Sequence, residues 1–175
     1  MSQTSKLGPE ELRIAVPALS TLTDEELAPL LAQGEVKTYA DGEAIFSEGQ
    51  PARALYFVVS GTVHIHRKGQ GTQRIELADL AQGAIFGEVA LLARTERTAS
   101  ASAKGTVTLL RVIGDPLYDD YREGQRYSQV ILLRVARFLA ERLEAMNRRL
   151  VDALAPRRGG ELESFREKML QDWTV

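Results

Sequence analysis

A glycine, a glutamate and an arginine that lie close together in the chain carry the groups needed to bind a phosphorylated sugar. Gly87 permits a close backbone approach, and the run 89–93 predicts one or two helical turns. The first N–H groups of such a turn lack intrahelical partners, so they favour an anion. Arg97 can bind the same anion through two N–H groups, whereas the Glu88 carboxylate suits a sugar hydroxyl. These residues predict a ribose-phosphate site.

Each of these residues also has an ordinary structural explanation. Arg97 could be a surface arginine on a strand, and Glu88 could be an acid that suits a helix N-terminus. Thr98 is β-branched and needs no functional reason to lie in a strand. The order of the glycine, the glutamate and the arginine favours the binding site over these alternatives.

The stretch from Phe86 to Leu92, followed by Glu96-Arg97-Thr98-Ala99-Ser100, resembles the phosphate-binding cassette of the cyclic-nucleotide-binding domain family. This family includes the bacterial catabolite activator and the regulatory subunits of cyclic-AMP-dependent kinase. The resemblance implies that Glu88 holds the ribose 2′-hydroxyl and that Arg97 binds the cyclic phosphate. It also implies that amides around Gly87 to Ala90 bind the other phosphate oxygens. The ligand would be cyclic AMP or cyclic GMP, without a catalytic cofactor.

The identity of the base stays open because two residues favour different bases. Thr98 follows the arginine, where family members that prefer cyclic GMP contact the guanine amino group with a threonine. Asn147 aligns, beside Met146, with helix positions that recognise adenine in the bacterial activators, and its carbonyl could accept from the adenine amino group. A solvated asparagine is the alternative for Asn147. Trp173 could cap the base, although packing explains it more simply. The implied binding residues are Phe86, Gly87, Glu88, Val89, Ala90, Arg97, Thr98, Ala99 and Asn147.

The region that must position this cassette has the pattern of a β-structure. From Glu35 to Ile113, short apolar runs with a period near two are separated by turn signals, and Gly42, Gly49 and Gly61 are interpreted as turn residues. Many short, evenly spaced strands predict a mainly β fold of the α+β class, a jelly-roll barrel flanked by N-terminal helices and a long C-terminal helix. The clearest predicted strands are Ala44–Phe46, Leu55–Val59, Thr62–Arg67, Thr72–Ala78, Arg97–Ala103 and Thr106–Ile113.

Helix signals lie on both sides of this region. Residues 9–16 begin with proline and acids, and Thr23 with Glu26 predicts a capping box for a second helix that ends at Gly34. Residues 125–154 contain no glycine or proline and predict one long helix. We therefore expect an N-terminal segment at 1–15, a cyclic-nucleotide-binding domain at 16–154, and a linker with a short amphipathic tail helix at 155–175.

An apolar stripe along the long helix alternates spacings of three and four residues. Such a stripe is typical of the seam of a two-helix coiled coil, so it predicts a homodimer. Packing of the stripe on the barrel of the same chain is the alternative. The stripe consists of Leu132, Ala136, Leu139, Leu143, Met146, Leu150 and Ala153.

The composition and length of the chain limit the classes of binding partner that we expect. Lys+Arg 22 against Asp+Glu 24 gives a net charge of −2, with no overall attraction to nucleic acid or to an anionic membrane. The chain has no cysteine and no apolar segment of signal-peptide or membrane-spanning length, so we expect a cytoplasmic protein. About twenty residues follow the long helix, too few for the helix-turn-helix module of the family's transcription factors. We therefore expect an effector protein of unknown identity rather than DNA as the partner.

His64 and His66 alternate with Val63 and Ile65, so both histidines would lie on one face of a strand. A His-x-His pair begins the metal site of the cupin metalloenzymes, but this chain lacks a third histidine. It also lacks a nucleophile elbow and a Walker loop. We therefore expect neither a metal site nor an enzyme. The alternatives to a receptor are a ligand-free dimeric interaction module and, less consistent with these residues, a cupin-like metal-dependent enzyme.

Overall fold

The computed structural model describes residues 7–69 and 73–154. The predictions for the linker, the tail helix and Trp173 lie outside these residues. A 3₁₀ turn at Pro17–Leu19 follows the first helix. In chain order, the helices and strands are α1 Pro9–Ala15, α2 Asp24–Gln33, β1 Glu35–Tyr39, β2 Ala44–Phe46, β3 Ala54–Lys68, β4 Arg74–Ala81, β5 Ile85–Phe86, α3 Glu88–Leu92, β6 Ser100–Ile113, α4 Gly114–Arg122 and α5 Arg126–Leu154.

The capping box at the start of α2 forms as predicted. The Glu26 N–H donates to Thr23 Oγ1 at 3.3 Å, and the Glu26 carboxylate accepts from the Thr23 N–H at 2.9 Å. This reciprocal pair satisfies N–H groups that have no partner within the helix. At the other end, Gly34 stops α2 and also permits close packing, since a Cβ there would lie 2.5 Å from Leu110 Cδ1.

The strands form one six-stranded antiparallel sheet in which β1, β6, β3 and β4 are neighbours in that order. β2 pairs with β6, and β5 pairs with β3. The mainly β fold with flanking helices and a long C-terminal helix is therefore confirmed. The predicted closure into a barrel is wrong for the described ranges, because no pairing within them joins β1 to β4 and the sheet stays open.

Two pairs of predicted strands are in fact single long strands. β3 continues through Gly61 and β6 continues through Gly105, where φ is 84° and 71° respectively. The expected turn at Gly61 is therefore wrong. The register between β3 and β6 shifts between Ser60 and Thr62, so the left-handed glycine is accommodated in an irregular stretch of the ladder. β1 and β5 were not among the clearest predicted strands.

The predicted strand at Arg97–Ala103 is wrong in its first part, since β6 begins at Ser100. The main chain of Arg97 pairs instead with the loop between β2 and β3. Its N–H donates to Gln50 O at 2.8 Å, and its carbonyl accepts from the Gly49 N–H at 2.9 Å. A nearby isolated bridge joins Pro51 to Glu96. These long-range bonds keep Arg97 outside the ladder of β6.

Three aromatic side chains pack against one another in the core of the sheet. The ring centroids of Tyr56 and Phe86 are 5.1 Å apart, and Phe46 lies 5.6 Å from Tyr56 and 6.0 Å from Phe86. Distances in this range are typical of favourable aromatic pairs. The buried members of this core are Tyr39, Ala54, Tyr56, Val58, Val63, Phe86, Ala101, Ala103, Val107 and Leu109.

Helix α5 confirms the predicted long helix and crosses the boundary between two compact units, which lies between Val135 and Ala136. Tyr127, Ile131 and Val135 are buried within the first unit. In the second unit, several apolar side chains of the predicted coiled-coil stripe are exposed, among them Leu143, Met146 and Leu150. No helix in residues 7–69 and 73–154 combines the length and apolar character needed to cross a membrane.

Candidate functional site

Gly87 connects β5 to α3 in a left-handed conformation, with φ 81° and ψ 5°. A Cβ at this position would lie 2.7 Å from Arg97 Nη1, 3.2 Å from Tyr56 Cδ2 and 3.3 Å from Ala54 O. Both the backbone conformation and the close approach of its neighbours therefore require glycine here. The turn brings α3 directly beside Arg97.

Helix α3 is short because the chain changes direction at Arg94, which has a left-handed φ of 53°. The Thr95 N–H closes the turn by donating to Ala90 O at 3.0 Å. Ala90 and Leu91 are buried, whereas Val89 is exposed. This tight end returns the chain toward Arg97 after a single apolar turn.

The guanidinium of Arg97 is held by main-chain carbonyls. Nη1 donates to Gly87 O at 2.8 Å, and Nη2 donates to Ala54 O at 2.7 Å. Only 4% of Arg97 is exposed. The two acceptors belong to the Gly87 turn and to the start of β3, so the regular structure around them fixes the direction of the side chain.

Aromatic rings line the same guanidinium. Its Cζ lies 4.2 Å from the centroid of Phe46 and 5.5 Å from that of Tyr56, which are distances suited to cation–π attraction. Burial lowers the pKa of Arg97, whereas Tyr56 and the Glu88 carboxylate act in the opposite direction. Arginine nevertheless stays charged at physiological pH because its ordinary pKa lies far above neutrality.

Glu88 is the first residue of α3 and is 4% exposed. Its charge favours the protonated form of Arg97, so the two side chains are electrostatically coupled. The structure thus brings together Gly87, Glu88 and Arg97, with the Phe86 ring buried in the adjoining core. This arrangement places a fixed cation near a carboxylate, two groups that can form charge-assisted hydrogen bonds to a phosphate and to a sugar hydroxyl.

The remaining candidate residues differ in their surroundings. Thr98 is exposed and Ala99 is partly buried, and both lie in the bend between Arg97 and β6. Asn147 is a partly buried residue of α5 in the second compact unit, so its role toward the base stays a prediction.

His64 and His66 lie on one face of β3, as their spacing predicts, and their rings stack with centroids 5.8 Å apart. We call these two residues with Arg74, Glu76 and Asp79 the histidine cluster. His64 contacts Asp79 through Nδ1 at 2.5 Å and Glu76 through Nε2. Arg74 Nη2 lies 2.7 Å from His66 Nδ1. In the described part of the chain, no group of three or more histidine or acidic side chains could hold a metal ion.

The partners that orient Arg97 are not predicted by the sequence. The Ala54 carbonyl carries no sequence signal, because every residue has the same main-chain acceptor. Phe46 and Tyr56 did carry one, since both belong to predicted apolar strands. The sequence does not predict the strand pairing that brings Phe46 and Tyr56 to Arg97.

The chain thus folds as an antiparallel β-roll with a buried arginine beside a short glycine-initiated helix. The model of the cyclic nucleotide-binding domain matches residues 36–119. The chain belongs to this family of cyclic nucleotide sensor and regulatory domains.

Two curated relatives and one solved structure illustrate the match. The chain is 35% identical to the cyclic AMP receptor protein of Thermus thermophilus over 127 residues, which cover 73% of this chain and 57% of that protein. It is 37% identical to Glutaminase 1 of Bradyrhizobium diazoefficiens over 134 residues, which cover 75% of this chain but only 21% of that protein. The crystal structure of the Thermus thermophilus catabolite activator protein superimposes with a TM-score of 0.66 and 34% identity, covering 79% of this chain and 63% of that one.

Proposed function

We propose that this chain is a receptor for cyclic AMP or cyclic GMP that signals to a protein partner by rearranging its C-terminal helices. The observation that carries the proposal is the buried Arg97, held by Gly87 O and Ala54 O beside Glu88 in the family's cassette. A guanidinium with a fixed direction suits the two-pronged recognition of a phosphate.

Each residue of the cassette takes a role in this proposal. Arg97 binds the cyclic phosphate, Glu88 accepts from the ribose 2′-hydroxyl, and main-chain amides from Gly87 to Ala90 bind the other phosphate oxygens. Because Thr98 is exposed directly beside Arg97, its hydroxyl can contact either a phosphate oxygen or a guanine amino group. Asn147 would favour adenine instead.

A close contact supports transmission of the signal from α3 to the helices that follow β6. Gly114 begins α4, and a Cβ there would lie 2.3 Å from Leu91 Cδ1 of α3. A displacement of α3 would therefore press on the junction between β6 and α4. For the ligand to shift this equilibrium, it must bind one arrangement more tightly than the other.

The homodimer is also a proposal, and the exposed apolar side chains of α5 support it. Leu143, Met146 and Leu150 are 49%, 57% and 41% exposed, and they follow one stripe of the helix. A second copy of the stripe would cover them in a coiled coil. Sedimentation equilibrium checks this, since a monomer across micromolar concentrations would contradict it.

Thermal unfolding with three nucleotides tests the receptor function. At a ligand concentration of about 100 times Kd, binding should stabilise the chain by about 2.7 kcal/mol, which is about 5–10 °C in Tm for a chain of this size. We expect cyclic AMP or cyclic GMP to raise Tm, whereas 5′-AMP should not. The larger of the two shifts would identify the base. No shift with either cyclic nucleotide would refute the proposal and favour an interaction module.

A further inference from the structure

Glu48 lies outside the cassette, in the loop between β2 and β3, yet it joins distant parts of the chain. One carboxylate oxygen accepts from Arg67 Nε at 3.3 Å and Nη2 at 3.2 Å. The other accepts from the Lys68 N–H at 3.0 Å, at the end of β3. The N–H of Glu48 itself donates to Oγ of the buried Ser100 at 3.0 Å. Glu48 is therefore bonded to both β3 and β6.

The residues that follow Glu48 hold the main chain of Arg97. The Gly49 N–H donates to Arg97 O at 2.9 Å, and the Arg97 N–H donates to Gln50 O at 2.8 Å. The loop is closed on itself, since the Ser47 N–H donates to Gln50 Oε1 at 2.9 Å. A shift of this loop would consequently shift the backbone from which the Arg97 side chain extends.

We infer that Glu48 is a positioning residue for the nucleotide site: it fixes loop 47–50 against the end of β3, and the loop fixes the main chain of Arg97. This inference rests on the proposed function. The guanidinium must meet Gly87 O, Ala54 O and the cyclic phosphate together, so small displacements of Arg97 weaken the contact with phosphate.

The bond to the Lys68 N–H is the most important contact of Glu48. The Arg67 side chain is 54% exposed, and an exposed ion pair contributes little. A hydrogen bond from a main-chain N–H to a carboxylate is stronger than such an exposed ion pair, and its donor has a fixed position. The same bond lowers the pKa of Glu48, with Arg67 acting in the same direction, so the side chain remains ionised at neutral pH.

Calorimetric titration of the full chain with cyclic AMP and cyclic GMP tests the inference. We expect Glu48→Ala to raise Kd about tenfold. Glu48→Gln should raise Kd about threefold, because the amide oxygen still accepts from Lys68, and this milder variant serves if the alanine variant unfolds. The control is Glu35→Gln on β1, which removes a comparable ion pair to Arg111 of β6 and should leave Kd unchanged.

Two further measurements distinguish positioning from a general loss of structure. In an Arg97→Ala background, Glu48→Ala should no longer change the residual affinity, since no guanidinium is left to position. Without nucleotide, the amides of Gly49 and Arg97 should exchange hydrogen faster in Glu48→Ala, while amides of the β1–β6 ladder should not.

The two proposals fail in different ways. Unchanged affinity and unchanged exchange at Gly49 and Arg97 in Glu48→Ala would overturn the inference while the receptor function stands. A wild-type chain that binds neither cyclic nucleotide would overturn the receptor function and, with it, the role of Glu48 in binding.

Discussion

Arg97 lies just before β6 and outside its ladder, whereas the histidine cluster lies on β3 and β4, and the two have opposite surroundings. Arg97 is 4% exposed and donates to two carbonyls. In the histidine cluster, the His64 side chain is 23% exposed, and its acidic partners Glu76 and Asp79 are 57% and 42% exposed. One group is oriented by the fold, whereas the other depends on side chains that water and salt can reach.

This difference separates a site that can recognise a ligand from a set of surface contacts. Main-chain carbonyls neither titrate nor change rotamer, so they hold Arg97 in one direction across pH and ionic strength. Exposed ion pairs contribute about 0–1 kcal/mol and weaken as salt screens them.

The largest expected effect is on nucleotide affinity. Arg97→Ala removes a charge-assisted contact of about 1.5–3 kcal/mol, so Kd for the cyclic nucleotide should rise about ten- to hundredfold. Arg74→Ala, which removes the arginine of the histidine cluster, should change Kd by less than about twofold. Calorimetry checks both variants. Equal losses in the two would show that general charge, rather than the buried position, determines affinity.

The second prediction concerns stability and compares two left-handed glycines. Gly87→Ala should lower the free energy of unfolding by about 2–4 kcal/mol, because the methyl group adds contacts with Arg97 and Ala54 to the backbone strain. Gly42 has a similar φ of 74°, but no atom lies within 4 Å of a Cβ built there. Gly42→Ala should therefore lower the free energy of unfolding by only about 1 kcal/mol. Urea unfolding measures both. Similar losses would mean that the close approach at Gly87 is unimportant.

The smallest expected effect is a pH dependence confined to the histidine cluster. Burial lowers the pKa of His66, and the charges of Arg74 and His64 lower it further, while Glu76 opposes them. At His66 the folded chain therefore binds fewer protons than the unfolded chain near pH 6, so the stability contributed by this residue should fall as the pH drops below about 6.5. We expect Tm to fall between pH 7.5 and 5.5 by about 2 °C more in wild type than in His66→Gln.

Affinity provides the matching control over the same pH range. Because Arg97 stays charged, Kd for the cyclic nucleotide should change by less than about twofold between pH 7.5 and 5.5. A pH-dependent fall in Tm of equal size in His66→Gln would contradict the assignment to His66.

Local sequence signals predicted several features correctly. The capping box at Thr23 depends on residues three positions apart, and the long helix depends on the absence of glycine and proline over 125–154. The connection from Glu88 to Arg97 is also local, since it consists of α3 and the turn at Arg94. Short-range spacing therefore predicts these helices correctly.

The errors arise where distant parts of the chain pair. Gly61 has the local character of a turn, but the ladder between β3 and β6 continues past it with a shift in register. Arg97 has the pattern of a strand residue, but its main chain pairs with Gly49 and Gln50. Both pairings join residues that are far apart in the chain, so local periodicity does not predict them.

The contact between Leu91 and Gly114 has a consequence for genetics. A side chain at position 114 would act as a wedge, since Leu91 Cδ1 would be 2.3 Å from the new Cβ and must move away. If the proposed signal passes through this contact, a bulky residue there would impose one signalling arrangement regardless of nucleotide. A selection for constitutive or unresponsive alleles should therefore recover substitutions at Gly114, which carries no ligand-binding group of its own.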